Sequence, residues 1–232
     1  MSADTTASTE TMSKVPFDID EVMSRIRDAV QPFPKAAMFA LRDEGFTSPF
    51  EQLIACLLSV RTYDEVSIVA ARRLFTEART PDALAAMPPD AIDRLIANVT
   101  FHERKAEQIR EIAARVRDEF GGELPCDDET MQSFSGIGPK CAHLALGVAC
   151  GQQRISVDIH VHRVTNRWGY VATRTPEQTM GALEKSLPET YWIAINELLV
   201  PFGKHICTGT RPKCSTCPVL SMCAQRGVTN PR

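Results

Sequence analysis

The sequence has no apolar run approaching the roughly 18 residues that a membrane-spanning helix requires. Its first fifteen residues are polar and Ser/Thr-rich, unlike the charged-then-apolar pattern of a secretory leader. These two lacks predict a cytoplasmic protein with no membrane partner. The chain also lacks a basic excess: 26 Lys and Arg stand against 29 Asp and Glu, a formal net charge of -3. Any binding to nucleic acid must therefore use a local patch rather than the field of the whole molecule. No compositional bias points to collagen-like, low-complexity or disordered chains, and no internal repeat occurs at solenoid spacing. What is present is an ordinary globular composition, 44% hydrophobic over 232 residues, enough for one large or two modest domains.

Strand patterns are almost absent, and nearly every segment carries the helical period. Ile19, Val22, Ile26 and Val30 form one face. Ser48, Pro49 and Glu51 make a capping box with proline at the first helical position, opening the apolar run Leu53 to Val60. Asp64 and Asp90 are candidate caps for the next helices. Between Glu103 and Phe120 the apolar positions line up until Gly121-Gly122 ends the helix. Thr175, Pro176 and Gln178 repeat the capping logic, Pro188 stops that helix, and a further helix follows from Tyr191 to Phe202. The expected fold class is all-α, about ten helices with short loops, after a mobile tail over residues 1–15.

Of the eight cysteines, Cys56, Cys126, Cys141 and Cys150 are scattered, whereas Cys207, Cys214, Cys217 and Cys223 crowd the C-terminus as C-x6-C-x2-C-x5-C. Four soft thiolates in one short segment favour zinc or an iron–sulfur cluster, and the spacing leaves both open. After Glu197 the chain has no acidic residue but carries Lys204, Arg211, Lys213, Arg226 and Arg232. Those charges form either the missing local patch or a merely solvated end.

A second constellation lies in S-F-S-G-I-G-P-K-C-A-H-L-A-L-G-V-A-C-G, residues 133–151. Gly136 and Gly138 permit a turn that presents amide N–H groups ahead of a helix N-terminus, which can grip a phosphate without reading a base. An ordinary helix connector would look the same. Lys140 falls in the first turn of an otherwise apolar helix, where dipole and desolvation both oppose an ammonium. A lowered pKa and a nucleophilic amine are expected there. Asp158, in I-S-V-D-I-H-V-H-R-V, precedes a helix and reads as its N-cap, a role compatible with catalysis. His160 and His162 read as structural hydrogen-bonding groups.

The hairpin F-S-G-I-G-P-K, the V-D-I-H segment with its Asp eighteen residues after Lys140, and the terminal C-x6-C-x2-C-x5-C together resemble the endonuclease III family of helix-hairpin-helix DNA glycosylases. The likeness extends from about Val22 to Cys223 and includes S-P-F-E-Q-L-I-A-C-L-L-S and F-H-E-R-K-A-E-Q-I. It implies a six-helix barrel over residues 42–152 and a cluster domain built from residues 16–41 and 153–232. It also implies a 4Fe-4S cluster on the four cysteines and a monomer acting on damaged double-stranded DNA. The implied activity is base excision of oxidised pyrimidines with AP lyase action: Lys140 attacks C1′ of the deoxyribose, Asp158 stabilises the developing charge, and beta-elimination of the Schiff base cuts the strand. Gly136, Gly138, Arg61, Arg211 and Lys213 would contact DNA.

The chain departs from the family pattern at Phe134, Ser135 and Cys141 in the hairpin, at Gln132 and Ile159, and most sharply at Arg61. The family usually places at that last position a Gln that fills the gap left by a flipped nucleotide. Alternatives are a glycosylase of the same superfamily for mismatched bases or photoproducts, and a metal-stabilised DNA-binding module without catalysis. The second leaves Lys140 and Asp158 unexplained.

Overall fold

The computed structural model describes residues 14–232, and within them every regular element is helical. In chain order these are α1 (Ile19–Val30), α2 (Ala37–Asp43), α3 (Pro49–Ser59), α4 (Asp64–Glu77), α5 (Pro81–Ala86), α6 (Pro89–Ile96) and α7 (His102–Phe120). There follow α8 (Asp128–Gln132), α9 (Pro139–Cys150), α10 (Ile159–Trp168), α11 (Pro176–Ser186) and α12 (Ala194–His205). Short 3₁₀ turns cover Glu189–Tyr191 and Cys214–Thr216.

Local chemistry accounts for most boundaries. The capping box closes reciprocally: Ser48 Oγ accepts from the Glu51 amide at 3.1 Å and Glu51 accepts from the Ser48 amide at 2.9 Å. Gly121 and Gly151 end α7 and α9 in the left-handed conformation that a side chain would resist. Three expectations shift. Asp64 is the first residue of α4 rather than its cap, because the chain enters that helix through extended Tyr63. Asp90 lies one residue inside α6, where proline at the first helical position already sets the entry. The stretch expected to be helical from Tyr191 starts as a 3₁₀ turn, and the α-helix proper begins at Ala194.

Two hydrophobic cores result. The first gathers α2 to α9 around Leu53, Ile54, Leu57, Leu74, Ile92, Ile109, Ile112 and Leu146. Met38, Phe39 and Leu41 of α2, which the sequence groups with the N-terminal helices, pack into this first core. The second combines Val22, Met23 and Ile26 of α1 with Val161, Val164, Leu183, Ile195, Leu199 and Phe202. Helix α12 belongs to the second core yet turns Val200 into the first. Polar ties also cross between them: His143 to the Ile155 carbonyl at 3.0 Å, and Arg42 to Glu197 at 3.5 Å.

Residues 1–13 of the expected N-terminal tail lie outside the described residues. Lys14 and Val15 are held, with Lys14 Nζ donating to the Leu220 carbonyl at 2.8 Å and the Val15 amide to the Ser221 carbonyl at 3.0 Å. Two of the scattered cysteines, Cys126 and Cys150, form a disulfide joining the segment after α7 to the end of α9. A 24-residue separation with no spacing motif hides such a pair in the sequence.

Candidate active site and cysteine cluster

The hairpin between α8 and α9 is built as its glycines suggest at one position only. Gly136 has φ +85°, and a Cβ there would collide with the Gln108 side-chain amide. Gly138 is extended at φ -116°, which any residue adopts, and a Cβ there would meet nothing within 4 Å. The expectation that both glycines serve special backbone angles is thus corrected for Gly138, whose lack of a side chain leaves open space above the helix N-terminus. Phe134, in place of the family's leucine, is buried and carries the Arg115 guanidinium 4.6 Å above its ring.

Lys140 sits half-buried in the first turn of α9. Its carbonyl accepts from Ser156 Oγ at 3.0 Å, so the backbone of Lys140 is pinned to the segment that leads two residues later to Asp158. Burial pushes its ammonium down, as expected. The Cys56 and Cys141 sulfurs and the Asp158 and Asp64 carboxylates push it up further, and the net direction is upward. The expectation of a lowered pKa is therefore reversed, because sequence alone does not show which anionic groups the fold gathers around an amine.

Asp158 caps α10: its Oδ1 accepts from the amides of His160 at 2.9 Å and Val161 at 2.8 Å. Oδ2 makes no hydrogen bond among the described residues and is left for other partners. His160 and His162 have the structural partners anticipated, Arg163 at 3.1 Å and Thr179 at 2.6 Å. Asp64, placed in the sequence as a helix cap, instead faces this site and also meets Lys204 Nζ at 3.5 Å. Nothing in its spacing marks it, since α4 and α9 both pack on α3 and that shared packing brings it near Lys140.

Arg61 is exposed, in a left-handed conformation at φ +55° directly after α3. A second exposed turn stands near it: the Thr100 amide donates to Thr62 Oγ1 at 3.2 Å, and the adjoining Phe101 has φ +59° with 57% of its surface exposed. Sequence reasoning passed over Phe101, although a large aromatic just before a helix of charged residues is the available signal. Ile159, beside Asp158, is likewise 60% exposed. Both differ from core apolar residues in leaving more than half of their surface uncovered by the described residues.

The four C-terminal cysteines are free thiols that line one small cavity of about 20 Å³ with Trp168, Phe202, Ile206 and Leu220. No three Cys, His, Asp or Glu side chains among the described residues converge closely enough to hold a single metal ion. Four thiols around one otherwise apolar pocket are a soft donor set that fits either an iron–sulfur cluster or zinc. Burial pushes the Cys217 thiol up to about 12, with the other three cysteines adding to the rise, so this pocket calls for a cationic centre to support thiolates.

Arg163 and Arg167, one turn apart on α10, hold the backbone of the cysteine loop. Arg163 donates to the carbonyls of Gly203 at 2.9 Å and Cys207 at 3.2 Å, and Arg167 to those of Thr208 and Gly209 at 2.6 Å each. A single helix therefore begins at Asp158 and ends at the cysteine loop. Arg211 and Lys213 project from that loop into solvent, the former at φ +50°. No described helix is long and apolar enough to cross a membrane.

Residues 54–189 match the HhH-GPD superfamily of base excision DNA repair proteins. Endonuclease III of Thermotoga maritima is 39% identical over 197 residues, covering 85% of this chain and 89% of that protein. A chloroplastic endonuclease III homolog of Arabidopsis thaliana is 37% identical over 94% of this chain, which spans 62% of that longer protein. A solved endonuclease III–DNA covalent intermediate, trapped with an estranged adenine, superposes with a TM-score of 0.72 at 28% identity. That match covers 88% of this chain and 96% of the other. The chain accordingly belongs to the endonuclease III family, within the HhH-GPD superfamily of base excision DNA repair proteins.

Proposed function

We propose that this protein is a bifunctional DNA glycosylase and AP lyase that removes oxidised pyrimidines from duplex DNA. The observation that carries the reading is the placement of Lys140 in the first turn of α9, behind an open hairpin and biased by the Asp158 and Asp64 carboxylates. A clamp that only bound phosphates would need neither the amine nor the carboxylates. That a relative can be trapped covalently with DNA supports the same chemistry.

The hairpin amides at Gly136 to Gly138 and the N-terminus of α9 grip a backbone phosphate, the absent side chain at Gly138 letting the strand approach closely. Arg61 and Phe101 stand on one rim, where a guanidinium and a ring face can occupy the gap left by the extruded base. Because the ammonium is the resting form, attack requires a proton to leave Nζ, and Asp158 Oδ2 is free to accept it. The deprotonated amine then bonds to C1′ while the C1′–N bond to the damaged base breaks, and Asp158 passes its proton to the departing base. The carboxylate so restored stabilises the positive charge on the sugar as the C1′–O4′ bond opens to the imine, O4′ taking a proton from the nitrogen. Removal of a 2′ proton from the resulting imine expels the 3′ phosphate and cuts the strand.

Cys207, Cys214, Cys217 and Cys223 would hold a 4Fe-4S cluster, which supplies cross-linking of a loop that has little apolar content of its own. The residues around it order the loop and present Arg211 and Lys213 to phosphates.

The test is borohydride trapping on a duplex bearing an abasic site or an oxidised pyrimidine. A covalent adduct at Lys140, lost in Lys140→Ala while DNA affinity persists, is the expected result. Strand cleavage at the normal rate by Lys140→Ala would overturn the mechanism.

A further inference from the structure

Lys105 is 3% exposed, and among the described residues its ammonium has no carboxylate partner. Its Nζ instead donates to the Leu58 carbonyl at 3.0 Å and the Val60 carbonyl at 2.7 Å, and lies 3.5 Å from Thr62 Oγ1. Those acceptors surround the end of α3. A helix C-terminus leaves carbonyls without intrahelical donors and carries a negative partial charge. Here no glycine supplies the usual cap: Val60 is extended, and Arg61 itself takes the left-handed conformation that L-residues resist. An ammonium with three donors, inserted from α7, replaces the missing cap.

The same residue reaches the second turn. Its backbone amide donates to the Phe101 carbonyl at 3.0 Å, at the point where Phe101 bends into its own left-handed conformation. Thr62 closes the circuit by accepting from Thr100. Two strained turns, each displaying one large exposed side chain, thus meet at one residue: the ammonium holds the Arg61 turn, and the Phe101 turn is tied to it through the Lys105 backbone amide and the Thr100–Thr62 bond.

We infer that Lys105 is a positioning residue that locks the Arg61 and Phe101 turns into one rim and thereby governs extrusion of base-paired lesions. This rests on the reading of Arg61 as the residue that fills the vacated gap. The groups facing the ammonium from the neighbouring helices are the Cys141 sulfur of α9 and the Cys56 sulfur of α3, which as thiolates oppose the effect of burial. Burial dominates and lowers the ammonium to about 8. The rim therefore loses its charged fastening just above neutral pH. Global stability moves the other way: between pH 8 and the ordinary lysine value of 10.5 the unfolded chain binds the extra proton, so this group favours the folded state more as pH rises. Loss of extrusion in that window is not unfolding.

The experiment measures single-turnover rates of the full protein on two duplexes, one with a thymine glycol opposite adenine and one with a preformed abasic site at the same position. The ratio of the two rates cancels the titration of Lys140, which both reactions share. In the unaltered chain the ratio should hold up to about pH 7.5 and fall about tenfold by pH 9, following the protonated fraction of a group titrating near 8. Lys105→Arg, which does not titrate, should keep the ratio flat across the range. Lys105→Met should show a low ratio at every pH, as should Arg61→Ala, with the double variant no lower than either alone. A flat ratio in the unaltered chain to pH 9.5 overturns the inference even if a variant fails to fold. A reduced ratio in Arg61→Ala beside an undiminished one in Lys105→Met overturns the role of Lys105 alone, and an undiminished ratio in Arg61→Ala overturns the reading of Arg61.

Discussion

Replacing Gly136 by alanine tests the hairpin at its one conformationally demanding position. At φ +85° an alanine carries left-handed strain of about 1–2 kcal/mol. Its methyl would also enter space held by Gln108, whose side-chain Cδ lies 3.0 Å from the added Cβ and whose amide nitrogen is nearer still. Gln108 is buried and its Nε2 donates to Ser135 Oγ at 3.3 Å. Making room breaks that bond, worth about 0.5–1.5 kcal/mol. The combined loss of about 2–3 kcal/mol should lower the Tm of a chain this size by about 4–12 °C. Gly45→Ala is the matched control: φ is +92° but nothing lies within 4 Å, so only strain acts. Gln108→Ala combined with Gly136→Ala keeps the strain and removes the collision, so the double variant should lose about 1 kcal/mol less than the two single losses added. If the free hairpin relieves its strain by turning the amides away, DNA must restore them on binding. The Kd for an abasic-site duplex, read by fluorescence anisotropy, should then rise about tenfold for each 1.4 kcal/mol so spent. A Tm equal to that of Gly45→Ala, unmoved by removal of Gln108, refutes the steric argument. An unchanged Kd refutes the phosphate contact.

Asp158→Asn should leave folding nearly intact, since asparagine caps helices as well as aspartate, yet slow base removal by 100-fold or more, on the order of a lost general acid–base group; circular dichroism and single-turnover kinetics separate the two effects, and a near-normal rate would exclude the carboxylate from the chemistry. Asp64→Asn removes one of the groups that raise the Lys140 ammonium, so the alkaline rise of lyase activity with pH should move to lower pH; an unmoved profile would show that Asp64 does not reach the amine. Cys214→Ser or Cys217→Ser should abolish visible charge-transfer absorbance and reduce soluble yield, whereas one zinc per chain and no iron in the unaltered protein would replace the cluster with a single ion. Arg211→Ala and Lys213→Ala should each flatten the slope of log affinity against log salt by about 0.9 on every duplex alike, as expected for a lost phosphate contact; unchanged slopes would leave these side chains as solvated surface.

The sequence by itself determined the helical class, most helix boundaries and the two chemical constellations, because those signals are local. A capping box spans four residues, a hydrophobic face recurs every turn, and C-x6-C-x2-C-x5-C fits in one loop. It also marked Lys140, an ammonium on an apolar helix, by a local rule, and Asp158 and Arg61 by resemblance: the first sits in the V-D-I-H segment eighteen residues after Lys140, and the second replaces the family's Gln. The direction of the Lys140 shift lay beyond it, because two of the opposing groups, Cys56 and Asp64, come from α3 and α4 and reach the amine only through packing. The Cys126–Cys150 bridge, the arginines of α10 that hold the cysteine loop, and the buried ammonium of Lys105 under two distant turns are of the same kind. Periodicity specifies which face of a helix is buried but not what lies opposite it. Charge, hydrogen bonding and titration are set by what lies opposite, so the tertiary structure alone decided how the site is tuned.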